Sequence, residues 1–314
     1  MVGLMLPLLQ SDNPRITADI LVAMGYMATE FAPEIQTNFG TMILEFISKA
    51  MVHPMLKIQY KAILCIVNFE QGLIDHKEVK VIEPYLPTIL GNMANIFERA
   101  LNSSNFIMLE AILDSMSSIA SINDFAPYYN TFMPGLKQVV SMVNSDTPQK
   151  ASIKSKTIET MGDLLSSIKS NQEFFSNECT NIMQSLISLQ QQIDKEDVMN
   201  RAIMAVYENV VEVMKENFVV YSDFVFEKAY EAAMRPVDVQ IIDELDKEKE
   251  GKKGLMHNYA KLKLDLKIDG IKNIVLNTDT FSQKIEGTNL LSAMSENMGQ
   301  SFLKYADHTI RVIQ

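Results

Sequence analysis

The 314-residue chain contains no tryptophan and only two cysteines. Cys65 and Cys179 stand far apart inside apolar, helix-like stretches, which indicates buried free thiols in a reducing compartment rather than a disulfide. Long hydrophobic runs are missing as well, since a stretch such as 62–67 is far below the ~18 residues that a membrane-spanning helix requires. The run Met1-Val-Gly-Leu-Met-Leu-Pro-Leu-Leu has no basic region and breaks at Ser11, so it fits a first helix and not a signal peptide. We expect no membrane insertion.

The sequence also lacks the motifs of common catalytic sites. Its four histidines, His53, His76, His257 and His308, are scattered and form no His-Glu-x-x-His pair, and its cysteines do not have zinc spacing. No Gly-x-Gly-x-x-Gly or Gly-Lys-Ser/Thr loop is present to hold a phosphate, and neither cysteine has a basic neighbour in sequence that would mark a nucleophile. We therefore predict that the protein is not an enzyme and uses no metal or cofactor.

Basic residues are the minority among the charges. The chain has 28 lysines and arginines against 39 acidic residues, for a net charge of −11. This balance could neutralise the phosphates of a nucleic acid only through a segregated basic stripe, and the sequence has none. We exclude nucleic acid as a partner.

One short phrase recurs six times and opens a helix-like apolar run each time. It begins with Phe or Ile, and Pro or Tyr often follows within three residues. The first five copies are about 43 to 51 residues apart, which is the period of two-helix HEAT-type repeats, whose units must stack to bury their apolar faces. The last interval is longer by roughly one repeat. The copies begin at Phe31, Ile82, Phe125, Phe174, Phe218 and Phe302.

Each phrase predicts an A helix, followed by a short polar connection and a B helix. Asn13 can cap the first B helix, and Pro14 suits its first turn. We predict an all-α fold, a HEAT-repeat α-α superhelix of the armadillo-like solenoid type, over residues 1–234, with an incomplete first repeat. The predicted helices span 15–30, 34–51, 55–69, 84–101, 104–122, 127–143, 148–169, 173–193 and 196–216.

Residues 235–278 interrupt this pattern. The run 243–254 has mixed charges, is broken by glycines and has no apolar period, which predicts a mobile loop. Lys261-Leu-Lys-Leu-Asp-Leu-Lys-Ile then alternates with period two, and Asp269-Gly270 separates it from Ile271-Lys-Asn-Ile-Val-Leu, which predicts a β-hairpin with a two-residue turn.

We expect this loop and hairpin to be inserted between the two helices of one repeat. The B helix should resume near Thr280, and residues 279–314 should continue the repeats and end in a truncated one.

The predicted B helices carry carboxylates at matching helical positions. B helices line the concave side of stacked two-helix repeats, so these residues predict a groove for an extended basic peptide. The alternative is the ordinary solvated face of an amphipathic helix. The residues are, helix by helix, Glu110, Asp114 and Ser117; Glu159 and Asp163; and Glu208, Asn209 and Glu212.

Four segments, in order and at the right spacing, resemble the middle of importin-5-type karyopherins. They are 12–33, Ile66-Val-Asn-Phe-Glu, 125–137 and Lys156-Thr-Ile-Glu-Thr-Met-Gly, and a thinner likeness covers most of the chain. The resemblance implies nuclear import: a superhelix wraps a lysine-rich localisation signal of a cargo protein, and GTP-bound Ran releases it. It further implies nucleoporin partners for the full-length carrier, a monomer, and a location in both cytoplasm and nucleus.

The resemblance also implies cargo-binding residues, because acids and asparagines of central B helices hold cargo lysines in this family. Matching motifs carry this role over to Asn68 and Glu159, and next to Glu110 and Asp114. The helical-face argument adds the remaining candidates, which are Asp163, Asn209 and Glu212.

Two departures from the family remain. Tyr207 stands where relatives have tryptophan. Such carriers are also much longer, so the chain is a fragment of one or a truncated relative, and binding to Ran is not assumed for it. The alternative function is a cytosolic HEAT scaffold that assembles other proteins through its inter-helix loops, without transport.

Overall fold

The computed structural model describes residues 8, 11, 13–76, 79–142, 146–168, 172–194, 197–236, 239–243, 259–266 and 270–313. The first helix expected near the amino terminus, apart from Leu8, lies outside these ranges. So does the charged loop expected at 243–254, apart from Asp243.

The described ranges contain twelve α-helices, and none of these is both long and apolar enough to cross a membrane. Their order follows the predicted alternation of A and B helices, but the third helix runs on to His76, beyond the predicted end at 69. The helices are α1 (Pro14–Glu30), α2 (Glu34–Met51), α3 (Leu56–His76), α4 (Leu86–Asn102), α5 (Phe106–Ile122), α6 (Ala126–Met142), α7 (Pro148–Ser166), α8 (Gln172–Gln190), α9 (Met199–Met214), α10 (Ser222–Ala233), α11 (Thr278–Asn297) and α12 (Ala306–Ile313).

Side-chain caps begin three of the B helices. The Asn13 Oδ1 atom accepts a hydrogen bond from the Arg15 amide at 3.0 Å, which confirms the predicted cap of α1. Asn105 caps α5 in the same way through the Met108 amide, and Thr147 caps α7. Each cap satisfies one backbone N–H that a helix start leaves without an intrahelical partner.

The chain packs as two compact units, Met1–Glu178 and Cys179–Gln314. In the first unit the B helices α1, α3, α5 and α7 pack on one another in sequence, the A helices α2, α4 and α6 form a second layer, and each A helix packs on the B helix that follows it. In the second unit the B helices α9 and α11 pack together, and the A helix α10 contacts both α11 and α12.

Burial explains why the aromatic phrase recurs. The first residues of three copies, Ile82, Phe125 and Phe218, have no solvent exposure, and Phe302 is 8% exposed. Each of these side chains fixes the start of an A helix in the core, which contributes roughly 1.5–3 kcal/mol of burial free energy. Phe31 differs, because it is 54% exposed.

Three antiparallel strands lie between α10 and α11 and form one sheet in the order β1-β3-β2. Gly270 pairs with Leu266 and belongs to strand β3. The prediction that Gly270 is part of a two-residue turn with Asp269 is therefore wrong. The sequence does not predict β1, because its five residues are too few for an alternating pattern to be recognised. The strands are β1 (Val239–Asp243), β2 (Tyr259–Leu266) and β3 (Gly270–Asn277).

Candidate functional site

The seam between the B helices α5 and α7 contains two of the predicted cargo-binding acids. Asp114 on α5 forms an ion pair with Lys156 on α7. One turn along each helix, the Ser117 and Thr160 hydroxyl oxygens are 3.1 Å apart. These contacts join neighbouring repeats. Because of the first contact, the Asp114 carboxylate already has a cation, the Lys156 ammonium, beside it.

Asp163, the second acid of this seam, is half-buried. Burial raises the pKa of its carboxyl, and a hydrogen bond from Ser117 acts in the opposite direction. The side chain therefore belongs to the contact between the two helices more than to an open surface.

The other candidates of the first unit differ in their exposure. Glu110, one turn before Asp114 on α5, is exposed, and Glu159 on α7 is half-buried. Asn68 on α3 packs against α1, since a Cβ atom added to Gly25 would lie 2.9 Å from the Asn68 Nδ2 atom. Glu110 is thus the predicted residue of this unit with the most accessible carboxylate.

In the second unit a group of carboxylates spans two B helices. Burial raises the pKa of Glu208 on α9, and the charges of Glu286 and Glu212 raise it further. Burial also raises the pKa of Glu286 on α11, while the Arg201 guanidinium, 3.9 Å from Glu286, lowers it. The charges of Glu286 and Glu212 thus disfavour the ionised form of Glu208, and a bound cation would relieve this repulsion.

The predicted residues of this unit lie beside that group. Glu212 is exposed and Asn209 is half-buried on α9. Sequence reasoning predicts the helix α11, from near Thr280, but the comparison of B-helix acids stops at α9 and so misses Glu286. The signal that could have found Glu286 is its place on this predicted B helix.

Tyr207, singled out in the sequence, does not face a ligand. It has no solvent exposure, and its hydroxyl donates to Gln190 Oε1 at 3.2 Å. Burial raises the pKa of this phenol. The side chain is part of the core of the second unit.

A buried glutamate between α3 and α5 was also missed. Glu70 has no solvent exposure, and both of its carboxylate oxygens lie 3.2 and 3.3 Å from the Ser115 hydroxyl. Burial raises the pKa of Glu70 well above its usual range, and Ser115 opposes this only in part. The signal that could have identified Glu70 as buried is its position four residues after Ile66, on the apolar face of α3.

No protein-family model matches the chain. Among curated proteins, importin subunit beta-3 of Saccharomyces cerevisiae is 23% identical over 316 residues, which cover 99% of this chain and 27% of that protein. The chain is homologous to a karyopherin of the importin-β family. It spans about a quarter of the length of this karyopherin.

Solved karyopherin structures share the fold. Kap121p bound to Ste12p matches with a TM-score of 0.74 at 20% identity, over 98% of this chain and 28% of that one. A Kap121p mutant with three acidic residues replaced by lysine matches with a TM-score of 0.75 at 21% identity, over 97% of this chain and 27% of that one. Kap121p bound to RanGTP matches with a TM-score of 0.69 at 20% identity, over 98% of this chain and 28% of that one. The described helices therefore have the HEAT-repeat arrangement of karyopherins.

Proposed function

We propose that this chain is a cargo-binding segment of a nuclear import receptor and that its B-helix carboxylates bind lysine-rich localisation signals. The observation that carries the proposal is the placement of carboxylates from successive B helices side by side, as Glu208 and Glu286 are in the second unit. Homology to importin subunit beta-3 supports the transport role.

Charge chemistry supports lysine as the group that is bound. An ammonium ion donates up to three hydrogen bonds and suits a site where several carboxylates repel one another. Glu110 is exposed on α5 one turn from Asp114, and Glu212 is exposed on α9 one turn from Glu208, so each unit offers neighbouring carboxylates to the lysines of a basic peptide. A structure of Kap121p has been solved with three acids replaced by lysine, and these positions are about one repeat apart. This spacing agrees with binding carboxylates on successive repeats.

The wider cycle is proposed for a longer carrier. Kap121p has been solved with RanGTP and with Nup53p, and we propose that the carrier to which this chain corresponds likewise binds Ran and nucleoporins, as a monomer that moves between cytoplasm and nucleus.

A peptide titration tests the cargo groove. Glu110→Lys plus Glu212→Lys should weaken binding of a fluorescent lysine-rich peptide by at least about tenfold at low salt, because each reversal replaces an attraction with a repulsion. Glu45→Lys plus Glu98→Lys is the matched control, since both residues are exposed acids on the A helices α2 and α4. Equal affinities of the two double mutants would contradict the groove.

One observation favours the scaffold alternative. Four apolar side chains are exposed where A and B helices of the first unit connect, and loops of this kind are what a scaffold presents to its partners. Under that function, charge reversal on the B helices would leave partner binding intact, and Ile107→Asp would remove it. The residues are Val52, Met55, Leu56 and Ile107, exposed by 65%, 45%, 56% and 59%.

A further inference from the structure

The ion pair between Lys156 and Asp114 joins two neighbouring B helices on the face that carries the predicted ligand carboxylates. Both side chains keep contact with solvent: Asp114 is 46% exposed and Lys156 is 26% exposed. Lys156 is thus the more covered of the two side chains, and nearly half of the Asp114 side chain stays open to solvent.

Other ion pairs of the first unit are placed differently. Lys137, on the A helix α6, binds Glu178 at 3.1 Å, and Lys150 binds Asp146 one turn away at 2.9 Å. Neither pair bridges two B helices. Lys156 therefore places its positive charge beside a B-helix carboxylate that would otherwise bind the cation of a ligand.

We infer that Lys156 is a built-in competitor for the cargo's lysine at Asp114, an inference that rests on the proposed cargo function. Its ammonium has the same chemistry as a cargo ammonium and is held beside the carboxylate by the packing of α7 on α5. An incoming lysine must displace Lys156 or share Asp114 with it. The effective concentration of the internal group is high, so one cargo lysine gains little at this position.

This competition sets a minimum number of lysines that a ligand needs for binding. A peptide with several lysines contacts other carboxylates, such as Glu110 one turn away, at the same time as it displaces Lys156, and multivalent contact offsets the cost. An isolated surface lysine of an unrelated protein has no such compensation. Lys156 therefore makes the groove selective for lysine-rich segments.

The fold does not depend on the pair. Ion pairs with this degree of exposure contribute little to folding stability, and the Ser117–Thr160 contact holds the same seam. Lys156→Met keeps most of the aliphatic stem and removes the charge, so it separates binding from folding. Thermal unfolding of the variant should match that of the wild type.

The test is a fluorescence titration of the 314-residue chain with an extended peptide of four lysines spaced by glycine and serine, and with a single-lysine peptide of the same length. Lys156→Met should bind the four-lysine peptide about fivefold more tightly at low salt, and its preference for that peptide over the single-lysine one should fall. Lys156→Arg, which keeps the charge, should behave as wild type. Lys137→Met makes the same charge change on an A helix and should alter affinity less than about twofold.

The outcomes separate the two proposals. Binding by wild type with an unchanged affinity in Lys156→Met overturns the role of Lys156 and leaves the groove in place. Failure of both proteins to bind the four-lysine peptide overturns the groove itself. Equal gains in Lys156→Met and Lys137→Met would point to net charge alone and also overturn the competitor role. If Lys156→Met does not fold, Lys156→Gln replaces it under the same criteria.

Discussion

The Ser115 hydroxyl lies 3.2 and 3.3 Å from the two carboxylate oxygens of Glu70, in a place without solvent exposure between α3 and α5. The same hydroxyl is 3.8 Å from the Met93 sulfur. A single hydroxyl donates one hydrogen bond, which is too little to stabilise a buried negative charge, so burial outweighs this contact and favours the neutral acid.

Glu70→Gln should therefore stabilise the protein at neutral pH. Since the pKa of Glu70 is raised in the folded state, its contribution to stability is fully present below the unfolded pKa, near 4.5, and is lost as pH rises toward the folded pKa. The amide keeps the shape and cannot ionise, so the gain should be roughly 1–3 kcal/mol at pH 8 and should vanish near pH 4. Urea unfolding followed by circular dichroism at both pH values measures it.

Glu45→Gln is the control for this comparison, because Glu45 is exposed on α2. It should shift the unfolding midpoint little and equally at both pH values. A pH-independent gain in Glu70→Gln would show that Glu70 is ionised in the fold.

Gly72→Ala should destabilise the first unit. A Cβ atom at this position would clash with the Gln36 Nε2 atom and lie 2.7 Å from the Ala28 carbonyl oxygen, and Gln36 Nε2 donates to that same carbonyl at 2.7 Å. Overpacking of this kind costs roughly 1–3 kcal/mol. The loss should appear as a lower urea midpoint.

Gly91→Ala is its matched counterpart. Gly91 lies inside α4, and an added Cβ atom there would have no heavy atom within 4 Å. Alanine is the better helix former by about 0.8–1 kcal/mol, so this variant should be more stable than wild type. The same sign for both substitutions would contradict the packing of α3 on α1 and α2.

Tyr305→Phe should loosen the carboxyl-terminal part of the second unit. The Tyr305 hydroxyl is 2.9 Å from Ser222 Oγ and also bonds Asp223, while its ring stacks on Phe226 at 4.2 Å between centroids. Removing the hydroxyl leaves the stacking intact and costs about 1–2 kcal/mol. Hydrogen exchange of α12 amides is the most local measurement.

Tyr230→Phe is the control, because Tyr230 stacks on the same Phe226 ring and the structure describes no hydrogen bond from its hydroxyl. It should leave exchange of α12 near the wild-type rate. Faster exchange in both variants would assign the effect to the aromatic stack.

Neither cysteine should react with a thiol reagent in the folded protein. Cys65 and Cys179 are buried thiols outside any disulfide, and burial raises the pKa of Cys65 to about 12, which leaves almost no thiolate of Cys65 at neutral pH. Titration with Ellman's reagent should count no thiol without denaturant and two in concentrated urea. Rapid labelling of the native chain would contradict the core positions of both residues.

Much of the helical frame follows from local sequence. The bounds Glu34–Met51 of α2 are those predicted, because an apolar period and a proline just before the first turn act within the helix itself. The end of α3 was placed too early, since Leu73 continues the apolar period of Phe69, is fully buried, and carries the helix past Gly72 to His76. Strand β1 lacked a pattern long enough to recognise.

The candidate site was predicted less completely. Helical spacing places Asp114 and Asp163 on the correct B helices, but it does not reveal the partner on the next helix. Glu286 and Glu70 were missed. Glu286 lies on a predicted B helix to which the comparison of acids was not extended, and a charged residue on an apolar face, such as Glu70, is normally assigned to the surface.

The amino-acid sequence by itself determines the repeat period, the order of A and B helices and the acidic balance, since each depends on residues close together in the chain or on composition alone. Tertiary structure decides which charges meet. Lys156 reaches Asp114, Ser115 reaches Glu70 and Glu286 approaches Glu208 only because B helices of successive repeats pack side by side. Burial then raises the pKa of Glu70 and of Glu208, which local spacing does not specify.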